Sequence, residues 1–280
     1  MNSPITAAVA GQFMLGGQMN INRLGFGAMR LTGSGVWGEP PDVSGAVRLL
    51  RRAVHLGVNL IDTADAYGPE VSERLLARAL YPYPADLVIA TKGGLVRPAP
   101  GAWNHDGRPA HLRAACEASL QRLRLARIDL YQLHAPDPAV PIEESIGELV
   151  RLREEGKIRH IGVSNVTLEE LQRCERLTPI ASVQNRFNVA DRNAEPVLAY
   201  CAARSIAFVP WAPLSSGRAG ALARIAQRRG LSEAQAALAW LLQRAPVVLP
   251  IPGTSSLTHL EENIAAASVV LDAEELRMIG

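Results

Sequence analysis

Short apolar, β-rich runs alternate with amphipathic helical stretches along nearly the whole chain. Strand candidates fall at residues 23–27, 58–62, 87–92, 128–134, 158–164, 182–184, 207–211 and 247–251, after a hairpin-like start at 12–16 and 19–21. Continuous runs such as Leu87-Val88-Ile89-Ala90 suit strands covered on both faces of a parallel sheet. Between them, residues 45–57 present Val47, Leu50, Val54 and Leu56 as an inner stripe, with Gly57 as a stop. Residues 142–155 place Ile146, Leu149, Val150 and Leu152 on one face before Gly156, and Ser232 with Gln235 forms a capping box. Eight such repeats fit a closed barrel or an open doubly wound sheet. The open dinucleotide-binding sheet needs a G-x-G-x-x-G turn after its first strand. Gly25-Phe26-Gly27 carries only the first half, and Arg30 stands where the third glycine belongs. The expectation is therefore α/β, a (β/α)8 TIM barrel with a short N-terminal β-hairpin. Its 280 residues are an ordinary length for one such domain, spanning 1–280.

A hydrophobic fraction of 48% supplies a core for one domain of this size. A net charge of +2, with arginines scattered on helical stretches, argues against nucleic acid or an anionic membrane as partner. No apolar run approaches the length of a membrane span. The first eleven residues lack a basic region ahead of their Ala/Val stretch, so they do not read as a signal peptide and the cytoplasm is the default. Cys116, Cys174 and Cys201 are too scattered for a disulfide framework or a metal site and read as buried or half-buried free thiols.

In a barrel of this kind active sites gather at the carboxyl ends of the strands. Those ends carry Asp62, Lys92, His134, Ser164, Asn165, Gln184 and Trp211, and Tyr67 follows Asp62 in a loop short enough to fold back over the strand tip. Taken singly, Asp62 reads equally as a cap, Lys92 as an exposed or phosphate-binding lysine, His134 as a core histidine and Trp211 as a plug. Together at strand ends they point to chemistry. A phenol has a pKa near 10, and an ammonium at about 4 Å is worth about 4 kcal/mol to its anion at an effective dielectric of 20. The expectation is a Tyr67 whose pKa is drawn down towards neutrality by Lys92, as a general acid for a developing alkoxide. Hydride must then come from a redox cofactor.

The chain resembles the aldo-keto reductases from about Gln12 onward. The resemblance rests on Asp62-Thr63-Ala64-Asp65-Ala66-Tyr67-Gly68, Val88-Ile89-Ala90-Thr91-Lys92, Asp129-Leu130-Tyr131-Gln132-Leu133-His134, Gly162-Val163-Ser164-Asn165, Val183-Gln184-Asn185, Pro252-Gly253-Thr254 and Glu261-Glu262-Asn263. It implies the catalytic tetrad Asp62, Tyr67, Lys92 and His134, with Tyr67 as proton donor, Lys92 tuning it, Asp62 orienting Lys92 and His134 bonding the substrate carbonyl. It implies cofactor contacts at Gly27, Met29 and Asp62. Ser164, Asn165 and Gln184 would hold the nicotinamide carboxamide and Trp211 its ring. Leu214, Ser215 and Gly217 would cover the pyrophosphate, and Gly253, Ser255, His259, Glu262 and Asn263 would serve the adenosine end. NADPH is the family's usual donor, but relatives that favour it commonly carry Lys or Arg just after the Pro-Gly-Thr turn. Here Ser255 and Ser256 stand there, and His259 where arginine is frequent. Hydroxyls and a helix start near Ser256 can still take a phosphate, so NADH remains a second donor.

Trp37, Trp103, Tyr67 and His134 are expected to line the substrate pocket, since the loops over a barrel mouth set specificity. Leu80-Tyr81-Pro82-Tyr83 looks like the bacterial branch that includes pyridoxal reductases, so pyridoxal is a specific candidate beside aldehydes and ketones in general. The expected partner is a small carbonyl compound, to a monomer or small homo-oligomer holding no metal. Two rival readings stand beside this one: a regulatory NADP-binding protein of the potassium-channel β-subunit type, and a Schiff-base aldolase using Lys92.

Overall fold

The computed structural model describes residues 5–214 and 219–280. An antiparallel hairpin, β1 (Gln12–Leu15) and β2 (Met19–Asn22), turns through Gly16 and Gly17 in left-handed conformations. An added Cβ at Gly16 would lie 2.3 Å from the His160 ring, so only glycine fits there. Parallel strands follow: β3 (Phe26–Gly27), β4 (Leu60–Asp62) and β5 (Val88–Gly93). A second small hairpin, β6 (Leu95–Val96) and β7 (Asn104–His105), rises from the end of β5. The parallel series then resumes with β8 (Ile128–Leu133), β9 (Ile158–Ser164), β10 (Ser182–Gln184) and β11 (Ala207–Phe208). Their spatial order is β3-β4-β5-β8-β9-β10-β11.

Residues 247–251 complete the ring. Leu249 donates its N–H to Phe208 O on one side, and Pro250 O accepts from Gly25 N on the other, both at 2.9 Å. The eighth expected strand is thus a bridged segment, because its proline lacks a backbone donor and only one regular bridge (Phe208 to Val248) forms. The first and seventh strands are likewise shorter than expected.

Helices α1 (Val43–His55), α2 (Val71–Leu80), α3 (Pro109–Leu123), α4 (Ile142–Glu154), α5 (Leu168–Glu175) and α6 (Glu195–Arg204) each follow a strand. They are joined by α7 (Ala219–Arg229), α8 (Glu233–Arg244), α9 (Leu257–Ala265) and α10 (Ala273–Ile279). The α1 stripe differs from the expected one. Ala46, Leu49, Leu50 and Ala53 are buried while Val47 and Val54 are half-buried, so the inward stripe runs through positions 46, 49, 50 and 53, at the three- and four-residue spacing of one helix face. In α4, Ile146, Leu149 and Leu152 are buried as expected and Val150 is half-buried. Ser232 caps α8 through the full capping box with Gln235. The three cysteines are free and buried. Among the described residues no helix is long and apolar enough to cross a membrane.

The period of two along each strand assigns its side chains. Leu60, Val88, Ala90, Leu130, Ala207, Val209, Leu249 and Ile251 form an inner cluster, sealed at one end by Leu15, Met19 and Ile21 of the hairpin. Ile61, Ile89, Tyr131, Leu133, Ile161, Val163, Val183 and Phe208 pack outward against the helices. Continuing the inner parity towards the carboxyl ends brings Asp62, Lys92, Gln132 and Gln184 into the barrel, above the apolar layer.

Candidate active site

Lys92 is fully enclosed, and its ammonium spends its three donors on three oxygens. Nζ donates to Asp62 Oδ2 at 2.7 Å, to the Thr63 carbonyl at 2.9 Å and to the Tyr67 hydroxyl at 3.3 Å. The other Asp62 oxygen, Oδ1, accepts from Gln184 Nε2 at 2.7 Å and Gln132 Nε2 at 3.2 Å. Both oxygens of the buried carboxylate are thus hydrogen-bonded, Oδ2 to the ammonium and Oδ1 to the two amides.

Tyr67 reaches Lys92 because its loop is pinned to the strand edge. Thr63 N donates to Ala90 O, and Asp65 N donates to Lys92 O. Gly68 then reverses the chain at φ +101°, where a Cβ would lie 2.4 Å from Val71. Behind the strand, Thr91 faces outward and donates to Glu73, itself held by Arg122. Asp65 sits against this pair, and its carboxyl is raised to about 8, by burial first and by Glu73 next.

A cleft of about 600 Å³ opens over this group. Gly27, Met29, Asp62, Tyr67, Trp103, His134, Ser164, Asn165, Gln184, Trp211, Leu214 and Gly253, all expected from the sequence, border it. Arg30, Leu95, Ala212, Pro213 and Ile251 border it as well and were not anticipated. Ile251 was legible as the inward residue of its strand, and Ala212 and Pro213 as neighbours of Trp211. Trp37 is outside the residues bordering the cleft and half-buried, with the Arg97 guanidinium 5.6 Å from its ring centroid and 3.7 Å from that of Trp103. Ser255 and His259 are exposed and Asn263 is buried on or beside α9, outside the residues bordering the cleft, as is Glu262. The helix expected to begin near Ser256 does so, with Ser256 as its N-cap. Ser215 and Gly217 lie outside the described residues.

One wall is a connected polar chain. Ser164 Oγ donates to Gln184 O at 2.7 Å, and Asn165 Nδ2 donates to Ser164 Oγ and to the His134 carbonyl. Trp211 Nε1 donates to Asn165 Oδ1 at 2.9 Å, which fixes the indole at the cleft edge. Asn165 adopts φ +58°, a left-handed conformation that asparagine tolerates better than most residues.

Electrostatics correct one expectation. Burial pushes the Tyr67 phenol above its ordinary pKa, and the opposing pull of Lys92 does not cancel it, since Asp62 adds to the rise. The loss of solvation, which distance arithmetic between two charges leaves out, decides the direction. Burial works to lower the Lys92 pKa, but Asp62 and Tyr67 outweigh it and the net shift is upward. His134 is held well below the usual imidazole range, by burial first and then by the Lys92 charge and His105. Its Nδ1 is buried without a partner, and its ring meets that of Tyr67 edge-on at 5.8 Å. Among the described residues no cluster of His, Cys, Asp or Glu could hold a metal ion.

The model of the Aldo/keto reductase family matches residues 23–221 and 218–280. An uncharacterized oxidoreductase of Schizosaccharomyces pombe is 48% identical over 280 residues, covering 98% of this chain and 90% of that one. The pyridoxine 4-dehydrogenase of Escherichia coli is 41% identical over 270 residues, covering 93% and 94%. Among solved structures, an aldo/keto reductase from Klebsiella pneumoniae in complex with NADP and acetate superposes with a TM-score of 0.81 at 28% identity, covering 96% of this chain and 93% of that one. The family match along the chain, with relatives this similar over nearly its full length, joins the buried Asp-Lys-Tyr arrangement and the closed barrel in one conclusion: the chain is an oxidoreductase that belongs to the aldo/keto reductase family.

Proposed function

We propose that this chain, acting as one domain, reduces an aldehyde or ketone to an alcohol with NADPH, and that Tyr67 is the proton donor. The observation that carries the reading is the 3.3 Å contact between the Lys92 ammonium and the Tyr67 hydroxyl at the floor of the cleft. A protonated phenol at neutral pH is loaded as an acid, and the phenolate left after donation faces a buried ammonium, where a cation is worth far more than in water. Asp62 keeps that ammonium charged and aimed. His134, neutral and on the cleft wall, has an N–H suited to hold the carbonyl oxygen within reach of Tyr67.

The cleft suits a nicotinamide. It offers the amide and hydroxyl groups of Ser164, Asn165 and Gln184 beside the held indole of Trp211, and backbone at Gly27 and Gly253 free of side-chain bulk. Met29 and Leu214 supply apolar edges, while Ser255, His259, Glu262 and Asn263 are assigned the adenosine end. NADPH, when bound, supplies hydride to the carbonyl carbon, while the chain's own residues manage the proton. The Klebsiella relative described with NADP supports NADPH as donor, with NADH as second choice. Trp103, Tyr67 and His134 are assigned to the substrate pocket.

Pyridoxal is the favoured specific substrate, on the likeness to the E. coli pyridoxine 4-dehydrogenase. An aldolase reading fits less well: a Schiff-base lysine must shed its proton and reach substrate, whereas Lys92 is held charged and does not border the cleft. Absorbance at 340 nm, followed with NADPH and NADH across aldehydes and ketones including pyridoxal, tests the proposal. Tight NADPH binding without turnover on any of them would replace it with the regulatory reading.

A further inference from the structure

Arg97, the first residue of the loop that joins β6 to β7, is a cation only 8% exposed that forms no ion pair among the described residues. Its guanidinium is committed to four backbone carbonyls instead. Nε donates to Ala102 O at 2.7 Å, Nη1 to Val36 O at 3.0 Å and Ala66 O at 3.4 Å, and Nη2 to Gly35 O at 3.2 Å. Those carbonyls belong to three separate loops: the one after β3, the one after β4 that carries Tyr67, and the hairpin containing Arg97 itself. The guanidinium also lies 3.7 Å from the Trp103 ring centroid, with Trp37 at 5.6 Å. Trp103 in turn stands edge-on to Tyr67 at 6.5 Å and to His134 at 6.3 Å.

We propose that Arg97 is a specificity-determining positioning residue, which holds Trp103 as the outer wall of the carbonyl pocket and pins the backbone immediately before Tyr67. The inference rests on the carbonyl-reductase reading of the cleft. The geometry calls for arginine in particular. Its planar fork presents five N–H donors in fixed directions while leaving a flat face for an indole, and the rounded ammonium of lysine cannot do both. A planar ring entering the cleft meets Trp103 on its way to Tyr67 and His134. A short aliphatic carbonyl reaches the same hydroxyl with little contact to that indole. Releasing Arg97 therefore frees the wall and penalises planar substrates selectively.

The test compares 4-nitrobenzaldehyde with propanal, using NADPH, in the wild type and in Arg97→Met, Arg97→Lys, Trp103→Ala and the Arg97→Met/Trp103→Ala double variant. Arg97→Met is expected to lower kcat/KM for the aromatic aldehyde about tenfold relative to propanal, mainly through KM, with NADPH affinity within about twofold of wild type. Lysine is expected to restore little of the ratio. In the Trp103→Ala background, Arg97→Met should leave the ratio within about twofold, because the residue it acts through is gone. Should Arg97→Met not fold, Arg97→Lys carries the same comparison. A parallel fall for both aldehydes with an unchanged ratio assigns Arg97 to fold maintenance alone and overturns the proposal, as does an undiminished effect without Trp103. Acrylamide quenching, read with and without Trp103→Phe, should show this indole more accessible in Arg97→Met. That readout does not need turnover, so a wild type inactive on every carbonyl counts against the reductase reading, whereas unchanged accessibility counts against the role of Arg97.

Discussion

Lys92 Nζ lies 2.7 Å from Asp62 Oδ2 with both side chains almost wholly out of solvent, 0% and 4% exposed. The pair is costly to desolvate and costly to break, since either partner alone would be an uncompensated charge inside the barrel. Asp62 also accepts two amide donors, from Gln132 and Gln184, on its other oxygen.

Asp62→Asn is accordingly expected to destabilise the fold by about 3–5 kcal/mol. An amide offers one acceptor oxygen where the carboxylate offers two, so its NH2 must face either the ammonium or the glutamine amides. Urea unfolding of the two proteins measures the difference. A loss below about 1 kcal/mol would show the buried pair to be better compensated than the geometry indicates.

Tyr67→Phe removes the hydroxyl and leaves the ring that packs against Trp103 and His134. Carbonyl reduction is expected to fall by about 10²–10⁴-fold with NADPH affinity nearly unchanged. Steady-state turnover, paired with fluorescence titration of NADPH, separates the two effects. Turnover close to wild type would remove Tyr67 from the acid role.

The upward shift of the phenol sets the pH dependence of both directions. Reduction uses the protonated form, which persists below the folded pKa, so kcat/KM for a carbonyl should stay level through neutrality and fall only above about pH 10. Alcohol oxidation uses the phenolate and should climb with pH across the neutral range. Because His134 is already neutral, no inflection is expected near pH 6.5. Profiles measured in both directions with the same cofactor pair check this. A reduction limb that falls near pH 7 would mean that bound cofactor lowers the phenol far more than Lys92 alone does.

Ser255 is exposed two residues beyond Gly253, which borders the cleft, and just before the N-cap of α9. Ser255→Arg should supply the cation missing after the Pro-Gly-Thr turn and raise the NADPH-to-NADH ratio of kcat/KM about tenfold, worth about 1.4 kcal/mol. An unchanged ratio would place the 2′-phosphate away from this turn.

Local periodicity determined much of this molecule before any contact between distant residues was considered. Alternation of runs and helices marks the barrel. The period of two that places Leu60 inside places Asp62 there too, and Val88 and Ala90 bring Lys92 with them. The same rule applied to Leu130 places Gln132 inside the barrel as well. Tertiary structure alone decided the rest. Whether the Tyr67 phenol rises or falls depends on how completely the closed barrel strips away water, a property of the whole enclosure that no spacing along the chain encodes. The grip of Arg97 on carbonyls 61 and 62 residues earlier arises where three loops converge. Such meetings depend on loop paths across the barrel mouth, and loops carry no repeating pattern from which a partner can be read.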